Sequence, residues 1–242
     1  MEAIVWRRTD LRESSRLLTF VSAERGRFVA LAKGAHRKNS ATLGRIDFLN
    51  RVDISLSGKG IALLGRVQLL HEPRALREPR RFLFANALIE WFDRAMPPDR
   101  PEPELFDLLS GSITLAERAP IKQLPAVLAA VELRLLRALG LLAEFDRCAR
   151  CGVALGDDAT VHALRHEAGV VCLAHRGPQD PMLAPAVRTR MRTLLATRGR
   201  DLAKLGDDQA QGAVLGILAR WLAVGFERES RLRASALAAL AR

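Results

Sequence analysis

The sequence predicts an α+β protein in several parts: a five-stranded β-barrel, then an α-helical bundle into which a zinc-ribbon-like module is inserted. Three observations predict it. Residues 1–76 form short runs rich in Val, Ile, Leu and Phe, separated by polar or glycine-containing turns. From about residue 75 onward, apolar side chains recur at helical spacing. Two pairs of potential metal ligands interrupt that helical pattern within 148–178.

The first 76 residues contain five predicted strands. They are IVWRR, RLLTFVSA, RFVALAKG, IDFLNRVDISLS and IALLGRVQLL. The turns at 24–26 and 58–60 are short enough to close hairpins. Five strands in about 70 residues fit a small closed or nearly closed barrel, and the oligonucleotide/oligosaccharide-binding (OB) barrel is the commonest five-stranded type.

Residues 77–147 and 179–242 are predicted to form the two parts of one helical bundle. In PRRFLFANALIEWFDRAM the apolar stripe consists of Phe82, Ala85, Leu88 or Ile89, and Phe92. QLPAVLAAVELRLLRALG carries a stripe that begins at Leu124, and Gly140 is its predicted C-terminal cap. ELFDLLSGSITLAER, LAPAVRTRMRTLLATRG and DDQAQGAVLGILARWLAVGF add further helices. The metal module is therefore predicted to be an insertion at 148–178.

The two ligand pairs have the spacing of a zinc ribbon. Cys148 and Cys151 form a C-x-x-C turn, and Cys172 and His175 form a C-x-x-H turn after a spacer of 20 residues. The intervening ATVHALRHEAGVVC reads as strand, turn and strand, which would bring the two turns together. Four protein ligands leave no open position for water, so a Zn²⁺ ion here is predicted to be structural.

Three alternatives remain open at the metal module. Either His162 or His166 could replace His175 as the fourth ligand if the hairpin folds differently. The cysteines could also be without metal. An enzyme that used the metal as a Lewis acid would need an open coordination position.

The charge of the chain predicts a polyanionic partner. The formal net charge is +11, and residues 1–78 carry 15 Lys and Arg against 8 Asp and Glu. The candidate phosphate-binding cations of the barrel are Arg7, Arg8, Arg12, Arg27, Lys33, His36, Arg37 and Lys38. The candidate base-stacking rings are Trp6, Phe20, Phe28 and Phe48. In a barrel this small each of these rings is more often part of the core.

Other classes of protein are disfavoured by the sequence. MEAIVWRRTDLRESSR has charges where a signal peptide needs an apolar run, and charged residues interrupt the long apolar stretches, so we expect a soluble cytosolic protein without a membrane partner. An odd number of cysteines, three, argues against a disulfide framework. We find no phosphate loop, nucleophile elbow or convincing two-metal acidic cluster, and the adjacent Asp207 and Asp208 fit a helix N-terminus. We therefore expect a protein that is not an enzyme.

Two stretches of the sequence have a distinctive pattern. The first is EAIVWRRTDLRESSRLLTFVSAERGRFVALAKGAHR, with a Glu-x-Ser element at 13–15, a glycine turn and a K-G-A-R-like loop. The second is LGLLAEFDRCARCG, where a helix ends and the first ligand pair begins. These stretches and the order of the parts resemble the bacterial recombination mediator family RecO. The resemblance implies binding of single- and double-stranded DNA and annealing of complementary strands. It also implies loading of recombinase, with RecR, on DNA coated by the single-strand-binding protein SSB, without nucleotide hydrolysis and at the nucleoid in the cytoplasm.

The resemblance also implies site residues. It implies a DNA surface on Arg8, Arg12, Arg27, Lys33, Arg37 and Lys38. It implies zinc ligation by Cys148, Cys151, Cys172 and His175, with His175 in place of the more usual cysteine. The acidic SSB tail with its apolar end would need a groove edged by arginine, either Arg188, Arg190 and Arg192 near Leu194, or Arg220 near Trp221. The alternative function is an RNA-binding or translation-associated barrel protein with a structural zinc module.

Overall fold

The computed structural model describes residues 1–11, 14–35, 40, 42–58, 60–206 and 208–241. Arg12, His36, Arg37 and Lys38, which belong to the predicted cationic surface, and Asp207 lie outside the described residues. The chain divides into two compact units. One is Met1–Arg77 with Phe92–Glu117, and the other is Glu78–Trp91 with Arg118–Arg242.

The first unit contains the predicted five-stranded OB-type barrel, which is confirmed. Its strands are β1 (Glu2–Leu11), β2 (Ser15–Ser22), β3 (Gly26–Ala32), β4 (Arg51–Ser57) and β5 (Ala62–His71). They close in the order β1-β2-β3-β5-β4, with antiparallel pairs except for the parallel pairing of β3 with β5 at Ala30 and Ala62. Because the sheet is closed, no strand is left with an unpaired edge along its whole length.

The interior of the barrel accounts for most of the predicted stacking rings. Phe20 and Phe28 are cross-strand partners on β2 and β3, and their rings stack at a centroid distance of 5.6 Å inside the barrel core. Trp6 is also fully buried, at an irregularity in the register of β1. These three rings are part of the core and present no free face for a base, as the core alternative predicted. Phe48 is half-buried.

The helices account for most of the remaining chain. They are α1 (Pro79–Ala95), α2 (Pro103–Arg118), α3 (Leu124–Ala138), α4 (Pro185–Ala196), α5 (Gln211–Gly225) and α6 (Arg231–Leu240). The sequence patterns predict the first five but not α6. Arg233 of α6 donates two hydrogen bonds to Glu132 of α3, at 2.6 and 2.9 Å, and both side chains are buried.

The buried faces of two helices differ from the predicted stripes. Phe82 of α1 is 46% exposed, whereas Phe84, Leu88 and Phe92 are buried, so the predicted stripe is wrong at its first member. In α3 the residues Leu124–Leu136 are buried around most of the helix, not along one stripe, because small alanines occupy the intervening positions. Gly140 has φ +70°, and the Leu141 N–H donates to the Leu136 carbonyl at 2.8 Å, which confirms the predicted cap.

One segment of the predicted helical domain groups with the barrel. Residues 92–117 belong to the barrel unit, so the predicted first part of the helical domain, 77–147, is divided between the two units. Two polar contacts made by this segment illustrate the grouping. Trp6 Nε1 donates to Asp93 Oδ1 at 3.0 Å, and His71 Nε2 lies 2.7 Å from Glu117 Oε2.

The predicted strand, turn and strand of the metal module form part of a small sheet. Its strands are β6 (Val161–Ala163), β7 (Val170–Cys172) and β8 (Met182–Leu183), in the order β7-β6-β8. Along the part of the chain that the structure describes, no helix has the length and apolar character needed to cross a membrane.

Candidate metal centre and nucleic-acid surface

The structure brings together the four side chains of the predicted metal site. The ligand atoms of Cys148, Cys151, Cys172 and His175 all lie within 4.8 Å of one another, and Cys172 Sγ is 3.2 Å from His175 Nδ1. A tetrahedral Zn²⁺ ion with bonds of about 2.0–2.3 Å would separate its ligand atoms by roughly 3.3–3.8 Å. Three sulfurs and one imidazole nitrogen within 4.8 Å of one another could hold such an ion.

Local backbone geometry positions the first ligand pair. The Cys148 N–H donates to the Val153 carbonyl at 2.9 Å, and the Gly152 N–H donates to the Cys148 carbonyl at 2.8 Å. Gly152 has φ +71°, a conformation that glycine adopts at little cost. The Ala149 N–H donates to the Val170 carbonyl at 2.9 Å, which brings the turn beside β7. Cys172 ends β7, and His175 ends the short 3₁₀ helix that follows.

The electrostatics of the pair favour at least one thiolate. Burial disfavours ionisation of Cys148, but the backbone N–H groups of Cys172, Cys151 and Arg150 stabilise its thiolate, and together they lower the pKa of Cys148 to about 6. The Val153 N–H favours the Cys151 thiolate, yet desolvation and the neighbouring thiols of Cys148 and Cys172 raise the pKa of Cys151 overall. A divalent cation among the sulfurs would offset this mutual repulsion.

The alternative histidines lie elsewhere. His162 is buried in β6, where its Nδ1 is 3.1 Å from the Asp180 carbonyl oxygen. His166 is exposed in the turn between β6 and β7. Among the described residues, the group with metal-ligand spacing contains His175 and neither of these two.

Two of the arginines considered for the SSB groove are internal. Arg188 is only 2% exposed and donates to the carbonyls of Phe145 at 3.1 Å, Gly156 at 2.7 Å and also Leu155. Arg190 is buried and donates to Gln211 Oε1 at 3.0 Å and to the Gly206 carbonyl at 2.8 Å. The expectation that they edge a surface groove is wrong, because both side chains are buried and their guanidinium groups donate to main-chain carbonyls and, for Arg190, to the Gln211 side chain.

The other groove candidates are also constrained. Arg192 pairs with Asp157 at 2.6 Å and with Asp146. Trp221 is buried, and its Nε1 donates to the Leu164 carbonyl at 2.8 Å, so this ring does not provide an exposed apolar surface beside Arg220. Arg220 itself is exposed on α5.

The predicted cations of the barrel that the structure describes differ in their partners. Arg7 and Arg27 each pair with Asp93 at 2.6 Å, and Arg8 pairs with Asp47. Lys33 is exposed just after β3, and no ion pair joins it to another described residue. The predicted surface therefore contains both paired arginines and an exposed lysine.

The sequence patterns did not reveal the acidic partners of these arginines. Asp93 lies near the end of α1, and Asp99, in the loop after α1, accepts from Arg25 Nε at 2.9 Å. These residues lie 66 to 87 positions away from Trp6, Arg7, Arg25 and Arg27 in the sequence. Only the packing of 92–117 against the barrel brings them together.

Comparison with known proteins gives matches to two parts of one family, which together cover most of the chain. Residues 1–72 match the family described as Recombination protein O N terminal, and residues 76–233 match the one described as Recombination protein O C terminal. The chain is 32% identical over 207 residues to "DNA repair protein RecO" of Anaeromyxobacter dehalogenans (strain 2CP-C), covering 84% of this chain and 80% of that protein.

Relatives from other bacterial groups show similar agreement. "DNA repair protein RecO" of Bacillus pumilus (strain SAFR-032) is 29% identical over 209 residues, covering 85% of this chain and 78% of the relative. The protein of the same name from Cutibacterium acnes (strain DSM 16379 / KPA171202) is 31% identical over 216 residues, with 84% and 85% covered. Because both halves match in the order that the fold presents them, the chain belongs to the recombination protein O family, RecO.

Proposed function

We propose that this protein acts in DNA repair by binding single- and double-stranded DNA and annealing complementary strands without being an enzyme. The observation that carries the proposal is the closed five-stranded barrel, because residues 1–78 hold a net charge of +7 out of +11. Family membership and the names of the relatives support the repair role.

Annealing follows from electrostatics alone. Two complementary strands repel each other through their phosphates, and a cationic surface that neutralises those phosphates lowers the repulsion. Base pairing then supplies the free energy, and no nucleotide hydrolysis is needed. In this proposal the barrel cations contact phosphates: Arg7, Arg8, Arg12, Arg27, Lys33, Arg37 and Lys38.

The protein partners that we propose are those implied by the family resemblance. With RecR, the protein would help to load recombinase on SSB-coated DNA at the nucleoid, and it would bind the acidic C-terminal tail of SSB. Because Arg188 and Arg190 are buried, the exposed Arg220 is the better candidate of the arginines considered for that tail.

The proposed metal is a structural Zn²⁺ ion held by Cys148, Cys151, Cys172 and His175. When bound, it would cross-link the two ligand turns and supply no reactive position, since four protein ligands fill a tetrahedral shell. Two sets of contacts hold the segment of the first ligand pair in place. The Ala149 N–H donates to the Val170 carbonyl, and the Arg188 guanidinium donates to three main-chain carbonyls.

A strand-annealing assay tests the function. Complementary DNA oligonucleotides, bare or coated with SSB, are mixed with the protein without ATP, and annealing faster than in the protein-free control is the expected result. A parallel set of RNA oligonucleotides of matched sequence tests the alternative. Tight binding to structured RNA without annealing of DNA would replace this proposal with the RNA-binding one.

A further inference from the structure

A groove on the barrel unit places arginines and carboxylates side by side. Arg7 of β1, Arg25 of the β2–β3 turn and Arg27 of β3 line it together with Asp93 and Asp99, and its volume is about 350 Å³. Ile61, which is 63% exposed, lies on the same groove. The groove thus combines cations that can contact phosphates with an exposed apolar side chain, Ile61, that a sugar or base can contact.

A single carboxylate occupies the centre of this arginine cluster. Asp93 Oδ1 accepts from Trp6 Nε1 at 3.0 Å and from Arg27 Nη1 at 2.6 Å, and Asp93 Oδ2 accepts from Arg7 Nη2 at 2.6 Å. Two guanidinium groups that converge on two oxygens of one anion reproduce the contacts that arginines make with a phosphate.

The position of the segment that carries the two acids is fixed by the backbone. The Asp99 N–H donates to the Arg27 carbonyl at 2.8 Å, and Arg27 and Pro98 form a parallel bridge. Gly26 permits this approach, because a Cβ atom at that position would lie 1.8 Å from the Arg100 carbonyl oxygen. These backbone contacts therefore hold both carboxylates at the groove.

The charge of the groove is strongly reduced by these acids. Arg7 and Arg27 contribute two positive charges, and Asp93 cancels one; Asp99 cancels the charge of Arg25, with which it pairs at 2.9 Å. The Arg25–Asp99 pair is exposed and such pairs contribute little to folding stability, so a phosphate can take the place of Asp99. Asp93 and Arg27 are only 20% and 23% exposed, so a phosphate has to displace Asp93 from a partly buried set of contacts. Asp93 and Asp99 therefore lower the affinity of the groove for phosphate.

We propose that Asp93, together with Asp99, occupies the phosphate positions of this groove and thereby limits its affinity for single-stranded DNA. This inference rests on the proposed DNA-binding function and adds to it a group that opposes binding. It accounts for the presence of two carboxylates within a surface that the sequence predicts to be cationic. Phosphates of the bound strand would replace the carboxylates as partners of Arg7, Arg25 and Arg27.

The test compares two neutralising variants with a matched control. Asp93→Asn removes the charge but keeps an oxygen that can accept from Trp6 Nε1. Asp99→Asn removes the charge at an exposed position but keeps an oxygen that can accept from Arg25 Nε. Asp107→Asn, an exposed acid on α2 of the same unit, changes the net charge equally outside the groove. Binding of a fluorescein-labelled (dT)20 strand to the full chain is followed by fluorescence anisotropy at several salt concentrations, after thermal unfolding has shown that each variant is folded.

Neutralising Asp93 is expected to leave one more net positive charge in the groove, which can neutralise one more phosphate. The slope of log K against log salt would steepen by about 0.7, which corresponds to an affinity increase of about fivefold at 0.1 M salt. Asp99→Asn should change the slope in the same direction, and Asp107→Asn should leave it unchanged.

The possible outcomes distinguish failure of this inference from failure of the proposed DNA-binding function. If the unmodified protein does not bind (dT)20 at low salt, the proposed function fails. If it binds, and Asp93→Asn and Asp99→Asn bind equally well or more weakly, the inference fails while the function stands. An equal gain for Asp107→Asn would also overturn the inference, because it would show a general effect of net charge. If Asp93→Asn does not fold, Asp99→Asn decides the question.

Discussion

Arg188 shows how one residue can mislead a reading of the sequence. LAPAVRTRMRTLLATRG contains Arg188, Arg190 and Arg192, and arginine side chains in a helix usually face solvent. The structure instead buries the first of them among the carbonyls of Phe145, Leu155 and Gly156. The segment around the first ligand pair has few regular backbone partners, and a guanidinium group with five donors can satisfy several carbonyls at once. The sequence contains no signal for this, since the acceptors are main-chain atoms more than 30 residues away.

We expect Arg188→Met to destabilise the helical unit by about 2–4 kcal/mol, because buried carbonyls would lose their charged donor. Urea unfolding followed by tryptophan fluorescence measures the change in the free energy of unfolding. Arg220→Met is the matched control, since Arg220 is exposed on α5 and its loss should cost no more than about 0.5 kcal/mol. Equal stability of the two variants would contradict the assigned role of Arg188.

Gly26 provides a second test at the residue scale. We expect Gly26→Ala to destabilise the barrel unit by more than about 2 kcal/mol, because both its φ of +66° and the nearby Arg100 carbonyl oppose a side chain. Gly60→Ala is the control: its φ is +76°, but nothing lies within 4 Å of the added Cβ. Its expected cost is the backbone strain alone, about 1 kcal/mol. Thermal unfolding of both variants measures the difference, and equal losses would show that Arg100 does not restrict this position.

At the scale of the elements, local patterns predicted more than long-range packing. The short apolar runs of β2 and β3 and the Gly140 cap predicted elements that the structure confirms. The face that each helix buries was less predictable, as Phe82 shows, because adjacent apolar residues allow more than one stripe. Helix α6 was missed because RLRASALAAL has short alanine side chains and only a weak periodicity, and its position depends on the distant partner Glu132.

The small sheet of β6, β7 and β8 is the element that we expect to depend most on the metal. Its strands are only two or three residues long, and a sheet of this size has little stability of its own. Removing Zn²⁺ with a chelator should expose the amides of 145–183 to hydrogen exchange, because metal binding in such sites contributes to folding. Exchange in the barrel strands should stay unchanged and serves as the internal control. Full protection of β6 and β7 after verified metal removal would contradict the structural role of the ion.

At the scale of the whole molecule, the charge distribution predicts the salt dependence of binding. Residues 1–78 hold a net charge of +7 out of +11. Reversing Arg37 and Lys38 to Glu should weaken binding of single-stranded DNA and reduce the log-log salt slope by about 0.7 for each lost phosphate contact. Fluorescence anisotropy titrations from low to moderate salt measure both the affinity and the slope.

The control for this reversal lies in the other unit. Arg228 and Arg231 are exposed, and their reversal to Glu changes the net charge by the same amount. If the two double variants lose affinity and slope equally, the DNA surface is not confined to the barrel.

The division of the chain into interleaved segments has a consequence for its synthesis. Trp6, Arg7 and Arg27 belong to the first strands to leave the ribosome, but their partner Asp93 follows more than 65 residues behind Arg27. A nascent chain that ends after β5 would have its barrel strands but not the segment 92–117 that completes the unit. A fragment cut at residue 76 would accordingly lack residues 92–117, and Arg7, Arg25 and Arg27 would lose Asp93 and Asp99 as partners.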